Sequence, residues 1–321
     1  MSTQAKFDTV KVAIGICTYH RPDGLRSALA AIGSQSLSLI ADAQVIVVIV
    51  DNSPDGSAGN IARERTLSGR FSTYHIHEPR KGLSLARNAA IDAAHGAGAT
   101  HLAFVDDDEM PEAGWLEALL VRLTAAGSAA VIGPVIPVFE EPPSRWLPVS
   151  AYAARRPHNG GLVDDAYTGN SMLELSPIIS LGLEFDPRFN DSGGEDTAFF
   201  RALRRSGHTI AWAEDAAVYE LVTKERMKKS WLLKRWLSTG AREARLDSLE
   251  QSRLPSIVRN LARGIVRVVA GAGRIAGAII CRPWQKPETV LLSFYTACRG
   301  IGFICAALGT RQTQYTGPHY R

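Results

Sequence analysis

Cysteine is scarce: Cys17, Cys281, Cys298 and Cys305 are the only four in 321 residues. None forms a Cys-x-x-Cys pair, and none clusters with histidine at zinc-ligand spacing. A structural zinc module is thereby excluded, and the thiols read as reduced groups of a cytosolic protein. Phosphate-cradling glycine motifs are missing as well. No G-x-G-x-x-G follows the first apolar run and no G-x-x-x-x-G-K-[ST] occurs anywhere, so the usual dinucleotide and P-loop sites are excluded. A near miss, Gly271-Ala-Gly273-Arg-Ile-Ala-Gly277, has the wrong spacing and sits in a helical pattern, where small residues serve packing. Met1 to Val10 is polar without an apolar core, so no signal peptide is expected.

What is present is ordinary globular composition with a lopsided charge. The formal net charge is +4, but residues 221–321 hold 18 Lys+Arg against 5 Asp+Glu, a net of +13. Residues 1–220 hold the remaining 18 Lys+Arg and 27 Asp+Glu, a net of −9. A basic module on an acidic body suggests an anionic partner surface, membrane or nucleic acid.

The stretch around which the rest is organised is Thr100-His-Leu-Ala-Phe-Val-Asp-Asp-Asp-Glu109. Its apolar run stops at Asp106, Asp107 and Asp108, with Glu109 behind them. Adjacent like charges repel unless a cation compensates them. Hard divalent cations take oxygen ligands, usually one or two carboxylates plus substrate phosphates. A solvated acidic turn before a helix accounts for the same residues. Without a glycine cradle, a carboxylate-held metal is the substitute for binding phosphates.

Earlier apolar runs repeat the pattern. Val12 to Cys17 reads as a strand ending at Thr18-Tyr19-His20-Arg21-Pro22-Asp23-Gly24, and Leu25, Leu29 and Ile32 follow at helical spacing. Val45 to Val50 reads as a strand buried on both faces, ending at the turn Asp51 to Gly56. A helix over 58–67, a strand over 73–77, a helix over 85–95 capped by Ser84, a helix over 115–125 and a strand over 129–135 follow. Strands alternating with helices give βαβ units and an α/β fold with a mainly parallel sheet flanked by helices. In such sheets ligands bind beyond the carboxyl ends of the strands, where Thr18, Asp51 and Asp106 all fall.

From 136 to 166 Pro137, Pro142, Pro143, Pro148, Pro157, Gly160 and Gly161 predict a long irregular excursion, of the kind that forms lids. Gly169-Asn170 then leads into a strand over 171–175. A second acidic cluster, Asn190 to Asp196, ends in Glu195-Asp196 at the start of a helix over 198–203, where both acids also suit the helix dipole. Short strands over 209–213 and 217–219 are expected at the edge of the sheet. Beyond Arg226 the pattern is helical only. Arg259, Arg263, Arg267 and Arg274 span roughly 80° of a helical wheel, opposite Ile, Leu, Val, Ala and Gly, which reads as a basic amphipathic helix on a membrane surface. Thr289 to Leu308 is near the length of a membrane span, but Arg299 at its middle favours an interfacial or packed helix. A helical hairpin covering the protein's own core is the alternative for both segments.

With these residues laid out, the chain resembles the family 2 glycosyltransferases of the nucleotide-diphosphosugar (GT-A) fold, and in particular bacterial exopolysaccharide glucosyltransferases of the succinoglycan type. The residues that carry the resemblance are Ile14-Gly-Ile-Cys-Thr-Tyr-His-Arg-Pro22, Val50-Asp-Asn52, Gly82-Leu-Ser-Leu-Ala-Arg-Asn88, Phe104-Val-Asp-Asp-Asp-Glu109, Gly169-Asn170 and Ser192-Gly-Gly-Glu-Asp196. The resemblance implies a GT-A catalytic domain over 1–225, with a donor half to about residue 135 and an acceptor half from about 136. A helical, membrane-associated region over 226–321 follows. It implies that Thr18, Tyr19 and Arg21 line the nucleotide pocket and that Asp51 takes the uracil edge. Arg87 approaches the diphosphate or sugar, and Asp106, with Asp107 beside it, contacts the nucleotide-sugar. Asp108 ligates Mg²⁺ or Mn²⁺, Asn170 borders the sugar and acceptor, and Asp196, steadied by Glu195, is the base. Related enzymes often carry a metal-reaching histidine where this chain has Tyr219. Either Glu220 substitutes, or Asp108 and phosphates hold the metal alone. The implied activity is inverting transfer of a hexose, glucose, from a UDP-sugar to a lipid-linked saccharide acceptor, at an anionic membrane surface on the cytoplasmic face, with no nucleic-acid partner. The rivals are a non-catalytic membrane-associated glycan-binding protein, which has no need of both acidic clusters, and a nucleotidyltransferase, which needs a basic glycine-rich loop where Thr18 to Gly24 carries only Arg21.

Overall fold

The computed structural model describes residues 10–63, 70–152, 161–190, 192–250, 253–281 and 286–310. The first strand, β1 (Lys11–Thr18), leads into α1 (Pro22–Gly33). Pro22 occupies the first helical turn, where its fixed φ suits the helix and its missing N–H is no loss. Leu25, Ala28, Leu29 and Ile32, at helical spacing, bury one face of α1 against the sheet. β2 (Gln44–Asp51), α2 (Gly59–Arg63), β3 (Ser72–His77), α3 (Leu83–Gly96) and β4 (His101–Val105) complete the first half. Val47 to Val50 is buried without exposure, as a strand covered on both faces must be.

After β4 come β5 (Glu109–Pro111), α4 (Trp115–Ala126), β6 (Ala130–Ile132), β7 (Val135–Phe139), β8 (Asn170–Glu174), α5 (Leu175–Ser180), α6 (Glu195–Arg205), β9 (Ile210–Trp212) and β10 (Val218–Val222). Seven strands form the main sheet in the order β3-β2-β1-β4-β8-β6-β9. Only β8 runs against its neighbours; the other pairings are parallel. A second sheet, β5-β10-β7, stands beside the carboxyl end of β4.

Several expectations change. The strand expected over 129–135 is two strands, because the chain leaves the main sheet after Ile132 and re-pairs Val135 with Val218 in the small one. For the same reason β10 is central in the small sheet and does not edge the main one, whereas β9 does. Ser84 is not the cap of α3. Gly82 precedes that helix, and the Oδ1 of Asn190 accepts the Ser84 N–H at 3.0 Å, so the cap comes from a distant segment. The excursion from 136 begins as strand β7, and Leu162 bridges to Ala211. Pro157 and Gly160, residues 64–67 of the expected second helix, and Asp191 lie outside the described residues.

Three long helices finish the chain: α7 (Lys229–Glu250), α8 (Arg253–Ile280) and α9 (Pro287–Ala307). They form the helix-only region expected, but they are not detached. Leu232 and Trp236 of α7 and Leu291 and Cys298 of α9 share a buried cluster with Leu147, Tyr152 and Val222 of the α/β body. Close approach depends on glycine. A Cβ on Gly302 would lie 2.1 Å from the Leu237 carbonyl oxygen, and one on Gly271 would lie 2.5 Å from the Ala297 nitrogen. Gly271 is thus the packing residue of the near-miss glycine run, while Gly273 and Gly277 face open space. Helix α9 is long and apolar enough to cross a membrane by length and composition, with a mean hydropathy of 1.6. Its Arg299 is ion-paired to Glu243 of α7 and donates to the Tyr295 hydroxyl at 3.0 Å, as a helix packed on its neighbour requires.

Candidate active site

The loops that follow β1, β2 and β4 meet at one edge of the sheet because these strands are parallel. Asn52 staples them. Its backbone N–H donates to the Thr18 carbonyl at 2.9 Å, its Nδ2 donates to the carbonyls of Glu78 at 2.7 Å and Arg80 at 2.9 Å, and its Oδ1 accepts the Gly82 N–H at 2.8 Å. The loop residues around it are thereby fixed before any ligand arrives.

Carboxylates and guanidiniums interleave over this frame. Thr18 donates its hydroxyl to Asp107 Oδ2 at 2.7 Å, and Arg21 donates to Asp107 Oδ1 at 3.0 Å and to Asp108 Oδ2 at 2.9 Å. Arg226 reaches the same Asp108 oxygen at 3.2 Å and is also paired with Glu220. Arg87, buried, donates to Glu195 Oε1 at 2.7 Å and stands 3.9 Å from Asp106 Oδ1. Gly169 lets its loop lie on this cluster: a Cβ there would meet Glu109 Oε1 at 2.8 Å and Asp106 Oδ2 at 3.0 Å.

The electrostatics follow from crowding like charges in a poorly solvated cleft. The Asp106 carboxyl is pushed up to about 7, first by desolvation and then by Asp108, Asp107 and Glu220, against the pull of Arg87. Its side chain still shows 44% of its surface. Desolvation also raises Asp107, Glu109 and Glu195, with neighbouring acids adding to it in each case. Burial works against the charge on Arg87, yet Glu195, Asp106 and Asp196 hold its pKa above the usual arginine value. Burial likewise pushes the Cys17 thiol up to about 12, so it is not a nucleophile at neutral pH.

Most of the expected site residues converge here. Thr18, Arg21, Arg87, Asp106, Asp107, Asp108 and Glu195 form one connected network. Asp196 follows Glu195 in the first turn of α6, and its Oδ1 accepts the Thr197 N–H at 2.7 Å. Tyr19 is half-buried, with the Lys81 ammonium 4.9 Å from its ring centre. Asp51 sits at the same edge but is fully buried, and its two oxygens accept the N–H groups of Ser53 at 2.9 Å and Ala58 at 2.6 Å. Its carboxylate shapes the loop after β2.

Asn170, expected to border the sugar and acceptor, is fully buried beneath the cluster. Its Oδ1 accepts Trp115 Nε1–H at 2.8 Å, and its Nδ2 donates to the carbonyls of Pro134 at 2.9 Å and Ala216 at 2.7 Å. Every polar atom of the side chain is engaged in joining the two sheets. Sequence reasoning missed Arg226 and Lys81, which lie in no motif, and gave Glu109 no role. A buried acid whose Oε2 accepts the Asp106 N–H at 3.1 Å fits a brace for the acidic turn.

Tyr219 and Glu220 are separated by the pleat of β10. The Tyr219 hydroxyl is bonded to Glu112, whereas Glu220 faces Arg226 and contributes to the field on Asp106. Among the described residues no group of three or more His, Cys, Asp or Glu is placed to hold a metal ion. The donor set is nonetheless oxygen-only and centred on Asp108, which fits a hard cation shared with substrate phosphates. Arg21 and Arg226, now on Asp108, are the groups a diphosphate would attract.

The family model for Glycosyl transferase family 2 matches residues 13–181, a span that runs from β1 through α5. The succinoglycan biosynthesis protein ExoM of Rhizobium meliloti (strain 1021) is 32% identical over 240 residues, which cover 74% of this chain and 76% of that protein. Among solved structures, S. aureus TarS 1-349 in complex with UDP matches with a TM-score of 0.51 and 15% identity, over 96% of this chain and 93% of that one. A second crystal structure of S. aureus TarS 1-349 matches with a TM-score of 0.51 and 14% identity over the same shares. The sheet order, the strand-end acidic cluster and these matches agree: the chain belongs to glycosyl transferase family 2, resembles its exopolysaccharide enzymes and has the GT-A fold.

Proposed function

We propose that this glycosyltransferase moves a hexose, glucose, from a UDP-sugar to a lipid-linked saccharide, with inversion, in the assembly of an exopolysaccharide or related surface glycan. The observation that carries the reading is the cluster in which Arg87 and Glu195 join the Asp106–Asp108 turn to the helix that bears Asp196. One side of that cluster suits a leaving diphosphate and the other a single base. The kinship with a succinoglycan biosynthesis protein supports the acceptor class, and the UDP held by TarS on the same fold supports the donor.

In this reading the Asp196 carboxylate accepts the proton of the acceptor hydroxyl as that oxygen bonds to the anomeric carbon. The bond from that carbon to the diphosphate oxygen breaks on the opposite side, so one displacement inverts the centre. Arg21 and Arg226 turn from Asp108 to the departing diphosphate and stabilise its charge. Asp108, with Glu220 nearby, would hold a Mg²⁺ or Mn²⁺ that supplies Lewis-acid neutralisation of the leaving group. Glu195, fixed by Arg87, orients the first turn of α6. The lipid-linked acceptor implies work at an anionic membrane surface on the cytoplasmic face, in keeping with the basic C-terminal third.

The test is UDP release from a panel of UDP-sugars, with lipid-linked oligosaccharide extract as acceptor, with Mn²⁺ and with chelator. Mass spectrometry then identifies the product and NMR its anomeric configuration. Release with no UDP-sugar, or a product that retains configuration, would sink the reading.

A further inference from the structure

The helical wheel of α8 has two faces, and the structure gives each of them a different environment. The arginine face points inward. Arg259 and Arg263 are paired with Asp247 and Arg267 with Glu243, both acids being on α7. Arg267 also lies 4.4 Å from the ring centre of Phe303, and Arg274 donates to Thr296 Oγ1 at 3.0 Å, both on α9. The arginines of α8 are thus largely used within the bundle.

The outward face is apolar. Val258, Ile265, Val266, Val269, Ile279 and Ile280 are between 55% and 72% exposed. At about 100° per residue they fall within roughly 140° of the wheel, centred about 130° from the arginines. The positions between them on that face are Leu261, Ala and Gly, so no charge interrupts a stripe about 33 Å long. A soluble monomer rarely leaves so continuous an apolar surface in water.

We propose that this face of α8 lies in the headgroup region of an anionic bilayer, with the helix in the membrane plane and the active-site cleft beside it. The proposal rests on the membrane-borne acceptor of the preceding subsection and names the surface that makes the contact. Charge selects the occupant. Helix α8 carries five arginines and no acid, and the next acid after Glu250 is Glu288. Two copies of so basic a region, net +13 over residues 221–321, would repel each other on approach, whereas an anionic bilayer attracts it.

The test is flotation of the full chain with vesicles of phosphatidylcholine, with and without phosphatidylglycerol. Val266→Glu/Val269→Glu is the principal variant, Arg263→Gln the charge variant, and Leu39→Glu an exposed apolar control on the α/β body. The double variant should bind the mixed vesicles more weakly by on the order of a hundredfold with an unchanged melting curve, since both valines face solvent. Arg263→Gln should lose about fivefold and Leu39→Glu nothing. If the wild type floats and the double variant floats equally, the α8 face is wrong although the membrane reading stands. If the wild type does not float on either vesicle, both fall. A wild-type dimer that the double variant dissociates in the absence of vesicles, with no difference in flotation, would assign the face to a second copy and overturn the proposal.

Discussion

The guanidinium of Arg87 donates to Glu195 Oε1 at 2.7 Å across a separation of 108 residues, with both side chains 5% exposed. This contact ties α3 to the helix that carries Asp196. Asp106 stands at 3.9 Å from the same guanidinium, so one buried cation serves both acidic clusters.

Breaking that pair strands a buried carboxylate. Arg87→Met should destabilise the protein by about 3–5 kcal/mol, the usual consequence of removing one partner of a buried ion pair. Urea unfolding measures it, and a loss under about 1 kcal/mol would mean that Glu195 is solvated or neutral without Arg87.

Asp196→Asn should leave donor affinity nearly intact and lower turnover by about 10²–10⁴-fold, the range of a general base. Donor binding and rate are to be measured on the same preparation. Normal turnover would move the base elsewhere.

Asp108→Asn should abolish the part of UDP affinity that depends on Mn²⁺. Calorimetry with UDP, in Mn²⁺ and in chelator, reads the difference directly. An unchanged difference would remove Asp108 from the cation's ligands.

The raised Asp106 carboxyl makes a signed prediction for the ligand-free protein in chelator. An unfolded Asp titrates near 3.9, so between about pH 4 and pH 7 the folded state holds the additional proton. Asp106 therefore contributes stability that is fully present below pH 4 and lost as pH rises through about 7. Thermal melts of wild type and Asp106→Asn across this window should diverge, the variant gaining relative stability toward neutral pH. Parallel curves would contradict the desolvation assigned to Asp106.

Asn170→Ala should act on stability and not on the donor. It orphans the Trp115 indole N–H and two carbonyls, each at about 1–3 kcal/mol when left buried and unsatisfied. The folded fraction should bind UDP as the wild type does. Selective loss of UDP affinity at normal stability would restore Asn170 to the substrate site.

The strand ends were legible because apolar runs of strand length stop abruptly at Asp, Thr, Pro and Gly, and parallel topology then brings those ends together. That reasoning placed Thr18, Asp51 and Asp106 at one edge. It also found Glu195-Asp196, since two acids after two glycines mark a helix start. The burial of Asp51 and Asn170 was not legible. Whether a polar side chain faces a cleft or braces a loop depends on backbone groups that only the fold delivers, Ser53 and Ala58 for one and Trp115, Pro134 and Ala216 for the other.

By itself, then, the sequence determined the α/β alternation, the carboxyl-end acidic site and the helical, basic C-terminal third. All of these follow from local periodicity and composition. The tertiary structure decided what long-range partners decide. It split residues 129–135 between two sheets, because Val135 pairs with Val218. It brought Arg226 to Asp108 across 118 positions. It also chose which face of α8 meets solvent. A helical wheel is indifferent to that choice, but Asp247 and Glu243 on α7 attract the arginines inward, and the apolar face is left outside.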